Sequence, residues 1–581
     1  MNKRIITLML GLTVSISLAQ NLTPAQKDSD FRYLASLYST YYSGTDWKKQ
    51  SVGFDALKIQ SWLDRVKAAT TDLDFYELCV EYVASLKDTH DAFSLTSDFV
   101  ANLGFTSDLY DGVLLIDSIS RTLLPVAKYP FVAGDEFVSL DGVPVAKLLE
   151  DFSKYGTQSN PLSTKRLTAA RLTIRPQSRM PHAPDVGDSA EVVVKRQNGN
   201  LETYTIPWSK TGTPLTVGPV PNPKKRTPLE PATGFAPSLD SNPADYMAEL
   251  EKARFSGVLK PEDLALNGYG SRNPLFLNAL PQLSFTRRLG GAAADFYYSG
   301  TFQFGDLTIG YIRIPSYSPP STTLALAQLE QEVAFMNTKT DGLIVDEMRN
   351  PGGNLCFGQD VLRRLIPYKF QATGFALRPY WTRVLGFYNS MINAKIFGAP
   401  WDIVQQYEQA FNEMLAANQQ GRTVTKPLPL CSPSLTLDPA TDINGNMIAY
   451  QKPIMMLIDE FSTSTADSVP GMFQDAKRGL LFGMRTNGAG GNNTTFDAGP
   501  YTESYAGMTL ALQTRASQIS TDEYPTSNYI ENIGVRPDVE VNFMTKDNLL
   551  QNGYPFILSA LYSAAYVIQH PDATPVNTAA K

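Results

Sequence analysis

An apolar run passes directly into a hydroxyl-rich turn in the sequence Ile454-Met455-Met456-Leu457-Ile458-Asp459-Glu460-Phe461-Ser462-Thr463-Ser464-Thr465-Ala466-Asp467. The apolar part indicates a buried strand, and a helical pattern follows the turn to about Ala476. A serine at such a junction points out of the carboxyl end of the sheet, where ligands of open α/β sheets bind. Taken alone, the hydroxyl residues are more typical of simple helix caps.

The chain around this junction alternates between buried strands and helices. Strand-like runs cover 307–312, 342–346, 454–459 and 479–483, and helical periodicity covers 321–337 and 357–365. This alternation predicts an α/β core with a mostly parallel sheet.

A second strand-to-turn junction lies upstream of the first. The strand at 342–346 is followed by Glu347-Met348-Arg349-Asn350-Pro351-Gly352-Gly353-Asn354 and then by a helix. Two glycines let backbone N–H groups approach a ligand closely, and a helix N-terminus adds positive partial charge. The junction therefore suits an oxyanion, although a tight turn that needs glycines for geometry alone explains the same residues.

The first half of the chain shows two other patterns. From Ser29 to about Asp88 apolar residues recur at helical spacing, which predicts a small helical cap. From Gly104 to Trp208 the period shortens to that of strands, with a hairpin turn at Asp141-Gly142. Residues 133–145 resemble the core of PDZ modules, which bind peptides by strand addition. Any hairpin with an Asp-Gly turn would show the same residues.

The N-terminus has the features of a secretory signal. Lys3 and Arg4 precede a short apolar stretch that ends in Ser17-Leu18-Ala19, which predicts cleavage after Ala19 and export to the periplasm or beyond the cell. The apolar stretch is short for a membrane anchor. A formal charge of −7 over 581 residues argues against a dedicated nucleic-acid surface.

Cysteine and proline usage adds two expectations. Cys79, Cys356 and Cys431 cannot all pair within one chain, and the apolar surroundings of the first two are typical of buried free thiols. Eight prolines between Pro214 and Pro243 predict an extended segment. That segment is either a linker or a cover over the active site before activation.

Four ordered motifs resemble those of the C-terminal-processing (tail-specific) serine peptidases of family S41. The D-x-R-x-N-P-G-G turn corresponds to 346–353, with the arginine displaced by one position, and S-x-S-x-x-(E/D) corresponds to 462–467. The third motif corresponds to 475–483 with the turn at 486–488 that follows it, and the fourth corresponds to 531–538. The resemblance implies a multidomain α/β fold. Its parts are a ClpP/crotonase-like, mostly parallel α/β catalytic core, a helical N-terminal cap and a PDZ-like β-rich module.

The resemblance also implies roles for individual residues. Ser464 matches the nucleophile of the family. The N–H groups of Thr465 and of either Gly352 or Gly353 match the oxyanion hole. Many members take a lysine base from a turn at which this chain has Ala489, and alanine cannot accept a proton.

The base is therefore expected to be a histidine. His182 lies between prolines and His570 near the C-terminus, whereas His90 lies in an L-x-D-x-H segment. That segment resembles relatives that use histidine, namely the tricorn-type core and the subgroup of the chlamydial protease-like activity factor. In that group a glutamate orients the histidine, and Glu531 matches it. Serine, histidine and a carboxylate are the three parts this chemistry needs, although a buried structural histidine would have the same sequence context.

These patterns divide the chain into six predicted segments. They are a signal peptide (1–19), a helical cap carrying His90 (20–100), a PDZ-like module (101–212), a Pro-rich insert (213–295), the catalytic core (296–550) and a C-terminal helix and tail (551–581). The expected activity is hydrolysis of peptide bonds in a protein or peptide substrate through an acyl-enzyme on Ser464. No cofactor, metal, nucleic acid or stable membrane anchor is expected, and the resemblance allows a homodimer.

Two other functions fit the same fold less well. A catalytically inactive binding protein for a peptide or an apolar ligand would suit the missing lysine, but the presence of Ser464, His90 and Glu531 argues against it. An esterase or lipase is weaker, because the G-x-S-x-G elbow is absent.

Overall fold

The computed structural model describes residues 21–215, 246–247, 249–250, 268–502 and 504–571. The predicted signal peptide and most of the Pro-rich segment at 214–243 lie outside the described residues. In the part of the chain that is described, no helix has the length and apolar character needed to cross a membrane.

The N-terminal cap is built from four helices around one apolar core, as the helical periodicity predicted. The hydroxyls of Thr23 and Thr71 each accept a backbone N–H in the first turn of a helix and so fix where two of the helices begin. Phe31, Tyr38 and Tyr82 meet edge to face in the core. The helices are α1 (Pro24–Tyr41), α2 (Thr45–Ser51), α3 (Gln60–Ala68) and α4 (Asp72–Ala84).

The next module is a six-stranded antiparallel sheet with two helices. The predicted turn is confirmed, because Asp141 and Gly142 have φ of 50° and 76° and join the paired residues Leu140 and Val143. The strands are β3 (Phe105–Tyr110), β4 (Val113–Ile119), β5 (Glu136–Leu140), β6 (Val143–Pro144), β8 (Ser189–Lys195) and β9 (Leu201–Pro207), and the helices are α5 (Val145–Asp151) and α6 (Pro161–Thr173). A small sheet flanks the module, with β10 (Ser209–Thr211), β2 (Val100–Asn102) and β7 (Ile174–Pro176) in that order.

The core contains a seven-stranded sheet whose last five strands are parallel, as the alternating pattern predicted. Its order is β11 (Phe285–Leu289), β12 (Tyr298–Phe304), β13 (Leu307–Arg313), β14 (Gly342–Asp346), β18 (Ile454–Ile458), β19 (Leu480–Gly483) and β23 (Val539–Glu540). The helices of this region are α7 (Thr322–Lys339), α8 (Leu355–Arg363), α9 (Trp381–Ile396), α10 (Trp401–Gln419), α11 (Thr465–Asp475), α12 (Lys546–Leu550) and α13 (Tyr554–Gln569).

An antiparallel sheet joins the cap to the core. Its strands are β1 (Phe93–Leu95), β16 (Gly374–Leu377), β20 (Gly491–Asp497), β21 (Ser504–Ile519) and β22 (Ser527–Tyr529). A separate pair is formed by β15 (Phe370–Gln371) and β17 (Thr436–Leu437). Strand β1 begins three residues after His90, and its Phe93 pairs with Ala506 of β21. This pairing places the end of the cap against the catalytic core.

A buried arginine joins the β-rich module to the core. Arg166 of α6 donates to Asp108 of β3 at 2.8 Å and also contacts the carboxylate of Glu460. Glu460 lies in the turn that leads from β18 to Ser464. One buried cation therefore links the module to the segment that carries the predicted nucleophile.

The cysteines correct one sequence-based expectation. Cys356 is not a free thiol: it forms a disulfide with Cys431, with the two Cα atoms 5.2 Å apart. The apolar neighbours of Cys356 belong to the first turn of α8, so they do not indicate whether Cys356 is free or paired. Cys79 is a buried free thiol, as expected.

Candidate active site

Ser464 occupies a strained turn at the carboxyl end of β18. Its backbone has φ 64° and ψ −111°, a conformation that residues other than glycine rarely adopt. The residue is 1% exposed, and its Oγ has no hydrogen-bond partner. The Ser464 hydroxyl therefore does not cap α11, although a helix cap was the alternative role for this serine.

Asp467 holds this turn from the first turn of α11. Its carboxylate accepts N–H groups from Ser464 at 2.7 Å, Gly488 at 2.7 Å and Ala489 at 3.0 Å, and it also accepts the Thr486 hydroxyl. Burial raises the pKa of Asp467 to about 6, and these hydrogen bonds oppose the shift. Asp467, the acidic residue of the S-x-S-x-x-(E/D) motif, thus joins the Ser464 turn to the loop that carries Ala489.

The two glycines after β14 lie directly against the Ser464 turn. A Cβ placed on Gly352 would be 2.8 Å from the Ser464 Cβ and 2.9 Å from the Thr465 nitrogen, and Gly352 has φ 86°. The Thr465 hydroxyl donates to the Gly353 carbonyl at 2.8 Å. The N–H of Gly352 already donates to Asn350 Oδ1 at 2.9 Å. The structure therefore brings Gly352 against Ser464 and Thr465, and joins Gly353 to the same turn through Thr465.

His90 is the one buried histidine of the chain. His182 is partly exposed beside Asp185, and His570 is exposed near the C-terminus. His90 is 4% exposed, and neither ring nitrogen has a hydrogen-bond partner. Burial lowers the pKa of His90; nearby Asp88 opposes the shift, whereas Lys48 acts with it. The imidazole is therefore held towards its neutral, proton-accepting form.

One amide side chain connects the His90 and Ser464 segments. Asn487 Oδ1 accepts the hydroxyl of Thr89 at 2.6 Å, and Asn487 Nδ2 donates to the hydroxyl of Thr463 at 3.3 Å. Thr89 precedes His90 and Thr463 precedes Ser464 in the sequence. Thr89 and Asn487 are 398 positions apart in the chain. Their hydrogen bond therefore brings the two predicted catalytic segments together in the protein interior.

Glu531 is fully buried in the same region but does not contact the His90 ring. Its Oε1 accepts from Lys48 and from the Ser159 hydroxyl, the latter at 3.0 Å, and its Oε2 accepts the N–H of Gly490 at 2.9 Å. Burial and the charge of Asp88 raise the pKa of Glu531 to about 8, against the effect of Lys48. Among the described residues no hydrogen bond joins the His90 ring, the Ser464 hydroxyl and the Glu531 carboxylate to one another.

Three residues of this region were not singled out by the sequence. Lys48 and Ser159 bind Glu531, and Asn487 joins the segments that carry His90 and Ser464. Lys48 lies within the predicted helical cap, where helical periodicity gave it no separate role. Ser159 is an ordinary serine between Gln158 and Asn160 and carries no sequence signal.

Comparisons with known proteins agree with this architecture. Residues 308–541 match peptidase family S41, and residues 100–215 match the PDZ domain. An uncharacterized protein of Chlamydia muridarum is 24% identical over 90% of this chain and 90% of its own length. A protein of Chlamydia trachomatis is 23% identical over 94% of this chain and 93% of its own length.

Solved structures show the same fold. The crystal structure of mature CPAF superposes with a TM-score of 0.70 and 19% identity, covering 95% of this chain and 99% of that chain. Mature CPAF complexed with lactacystin gives a TM-score of 0.69 with 19% identity, covering 94% of this chain and 99% of that chain. The match to peptidase family S41 over residues 308–541, together with the PDZ match over residues 100–215, identifies the chain as a serine peptidase with an S41-like catalytic region.

Proposed function

We propose that the chain is an exported serine endopeptidase that cleaves peptide bonds through an acyl-enzyme on Ser464. One observation carries this proposal: Ser464 presents a buried, unpartnered hydroxyl on a strained turn at a helix N-terminus. Buried unpartnered polar atoms are rare in folded proteins and concentrate where function requires them. Export rests on the N-terminal pattern ending at Ala19.

His90 is the general base of the proposed mechanism. It takes the proton of the Ser464 hydroxyl during attack on the scissile carbonyl and returns it to the leaving amine. The N–H of Thr465 and that of Gly352 or Gly353 bind the oxyanion in this mechanism; Gly352 lies against Ser464, and the Gly353 carbonyl accepts the Thr465 hydroxyl. Water then hydrolyses the acyl-enzyme, and His90 serves as the base again.

Glu531 is proposed to orient His90 when substrate is bound. Ser159 supports this role, because its hydroxyl donates to Glu531 at 3.0 Å and accepts the N–H of Thr89 at 3.1 Å, next to His90. Catalytic hydrogen bonds are often unformed in substrate-free enzymes and tighten only in the complex. The proposal therefore requires the unpartnered His90 ring to turn towards Ser464 and Glu531 on binding.

Hydrolysis of a fluorescent protein substrate by the purified mature chain tests the proposal. Wild type is expected to release fluorescent peptides, and Ser464→Ala to release none. His90→Ala is expected to lose roughly 10²–10⁴-fold of the rate, the usual contribution of a general base. Because mature CPAF has been solved with lactacystin, we also propose that lactacystin inhibits this chain. Binding of peptides without turnover by wild type would instead favour the inactive binding protein.

A further inference from the structure

A fully buried lysine lies where the cap meets the catalytic loops. Lys48 of α2 is 0% exposed, and its ammonium reaches three acceptors: the Lys87 carbonyl at 3.1 Å, Asn532 Oδ1 at 2.7 Å and the Glu531 carboxylate. An ammonium has three donors, so all of them are used. Lysine is almost never fully buried unless it is paired, and here it pairs with a proposed catalytic carboxylate.

These contacts fix two loops against each other. Asn532, which adjoins Glu531, donates its side-chain amide to the Lys87 carbonyl at 2.8 Å. Lys87 lies three residues before His90. The indole of Trp47, beside Lys48, donates to the Glu531 carbonyl at 3.1 Å. The Glu531 loop and the His90 turn are therefore held at one point by α2.

The positive charge of Lys48 lies near several buried carboxylates. Three acidic residues, Asp88, Asp91 and Glu531, are buried around His90, each less than 5% exposed. The Tyr42 hydroxyl donates to Asp88 at 2.8 Å, and the N–H of Thr509 donates to Asp91 at 2.8 Å. These donors are neutral, so Lys48 supplies a positive charge to the group. Removing one partner of a buried ion pair leaves the other charge uncompensated.

Building on the proposed function, we propose that Lys48 is a positioning residue of the peptidase. It holds the Glu531 carboxylate and the Lys87 carbonyl together, so that Glu531 stays aligned with the turn that carries His90. It contacts neither substrate nor reacting atoms; it acts through Glu531 and His90.

Lys48→Met tests the proposal against Lys27→Met, a matched loss of a buried lysine in the same cap. Lys27 is 4% exposed and contacts Asp72 at 3.3 Å and the Thr71 carbonyl at 2.9 Å, so it is not bound to the catalytic loops. The measurement is the rate at which a fluorophosphonate labels Ser464, followed across pH. At neutral pH we expect labelling of Lys48→Met to fall at least roughly 10-fold, and labelling of Lys27→Met to stay within about 2-fold of wild type.

The pH profile separates positioning from a merely structural role. The charges facing His90 are Asp88, which raises its pKa, and Lys48, which lowers it; Asp91 and Glu531 lie in the same group. Removal of the cation therefore raises the pKa of both His90 and Glu531. Since labelling needs a neutral imidazole and an ionised carboxylate, its pH midpoint moves upward in Lys48→Met. A variant that is only less stable keeps the wild-type midpoint.

The outcomes distinguish this inference from the proposed function. If wild type is not labelled, the proposed function fails. If wild type is labelled and Lys48→Met shows the same rate and midpoint, the role of Lys48 is refuted. Should Lys48→Met not fold, Asn532→Gly decides, because glycine suits the φ of 62° at that position and only the bridging amide is lost. A several-fold loss of labelling supports the proposal, and an unchanged rate overturns it.

Discussion

At the scale of single residues, Ser464 has two features that lower the stability of the fold. Ser464 combines a backbone conformation that suits glycine with a buried hydroxyl that has no partner. Both features cost folding free energy and are retained where a site needs them. Activity and stability are therefore expected to respond in opposite directions when this residue is changed.

Replacing Ser464 should stabilise the protein. Ser464→Gly relieves the left-handed strain and removes the unpartnered hydroxyl, so we expect a gain of about 1–3 kcal/mol in the free energy of unfolding, measured by urea denaturation. Ser468→Ala is the control, because its buried hydroxyl donates to Gln513 at 2.6 Å. That variant should lose about 1–3 kcal/mol. If Ser464→Gly and Ser468→Ala lowered the free energy of unfolding equally, Ser464 would not be strained.

Glu531 should make stability depend on pH in a defined direction. Its pKa of about 8 in the folded chain lies above the unfolded value of about 4.3, so the folded state binds the extra proton. The stabilisation is present below about pH 4.3 and is lost as pH rises through about 8. Denaturation at several pH values should show wild type losing stability relative to Glu531→Gln between pH 5 and 9.

The control for this pH effect is Glu136→Gln. Glu136 forms a partly exposed ion pair with Lys195 at 3.1 Å, far less buried than Glu531. The substitution should change the free energy of unfolding by less than about 1 kcal/mol, because the ion pair is partly exposed. A constant difference between Glu531→Gln and wild type over the same pH range would show that Glu531 titrates normally.

At the scale of elements, the turn after β14 has to pass directly against the turn after β18. The contact depends on the missing side chain of Gly352, because a Cβ would lie 2.5 Å from the Thr463 carbonyl oxygen. We expect Gly352→Ala to lower the labelling rate of Ser464 by roughly 10²-fold or more, since two elements of the site would be pushed apart.

Gly445→Ala separates crowding from backbone strain. Gly445 has φ 82°, close to the 86° of Gly352, but nothing lies within 4 Å of a Cβ placed there. This control should lose a similar amount of stability from strain and keep the wild-type labelling rate. Equal labelling by both alanine variants would mean that the close approach of Gly352 is not needed for the site.

The elements themselves were largely predictable from the sequence. The apolar runs at 342–346 and 454–458 are strands because they are buried on both faces of a parallel sheet. The pairing of Cys356 with Cys431 was not predictable, because the two are 75 positions apart and the chain between them folds back through α9 and α10. Asn487 and Ser159 were missed for a similar reason: their roles arise from contacts between segments distant in the chain.

At the scale of the whole molecule, the β-rich module and the core are connected through buried charge. Arg166→Met should destabilise the chain by about 3–5 kcal/mol, because Asp108 and Glu460 are left without their cation. Lys195→Met removes a partly exposed ion pair from the same module and should cost less than about 1 kcal/mol. Chemical denaturation measures both, and similar small losses would mean that the connection does not depend on Arg166.

The central claim is that Ser464 is a nucleophile activated by His90, and mapping of a covalent adduct tests it most directly. The mature chain is treated with a fluorophosphonate, digested and analysed by mass spectrometry, beside Ser464→Ala and His90→Ala. We predict one adduct on the peptide containing Ser464 in wild type, none in Ser464→Ala, and labelling slowed roughly 10²-fold or more in His90→Ala. An unlabelled wild type, or labelling at the full rate in His90→Ala, would contradict the account.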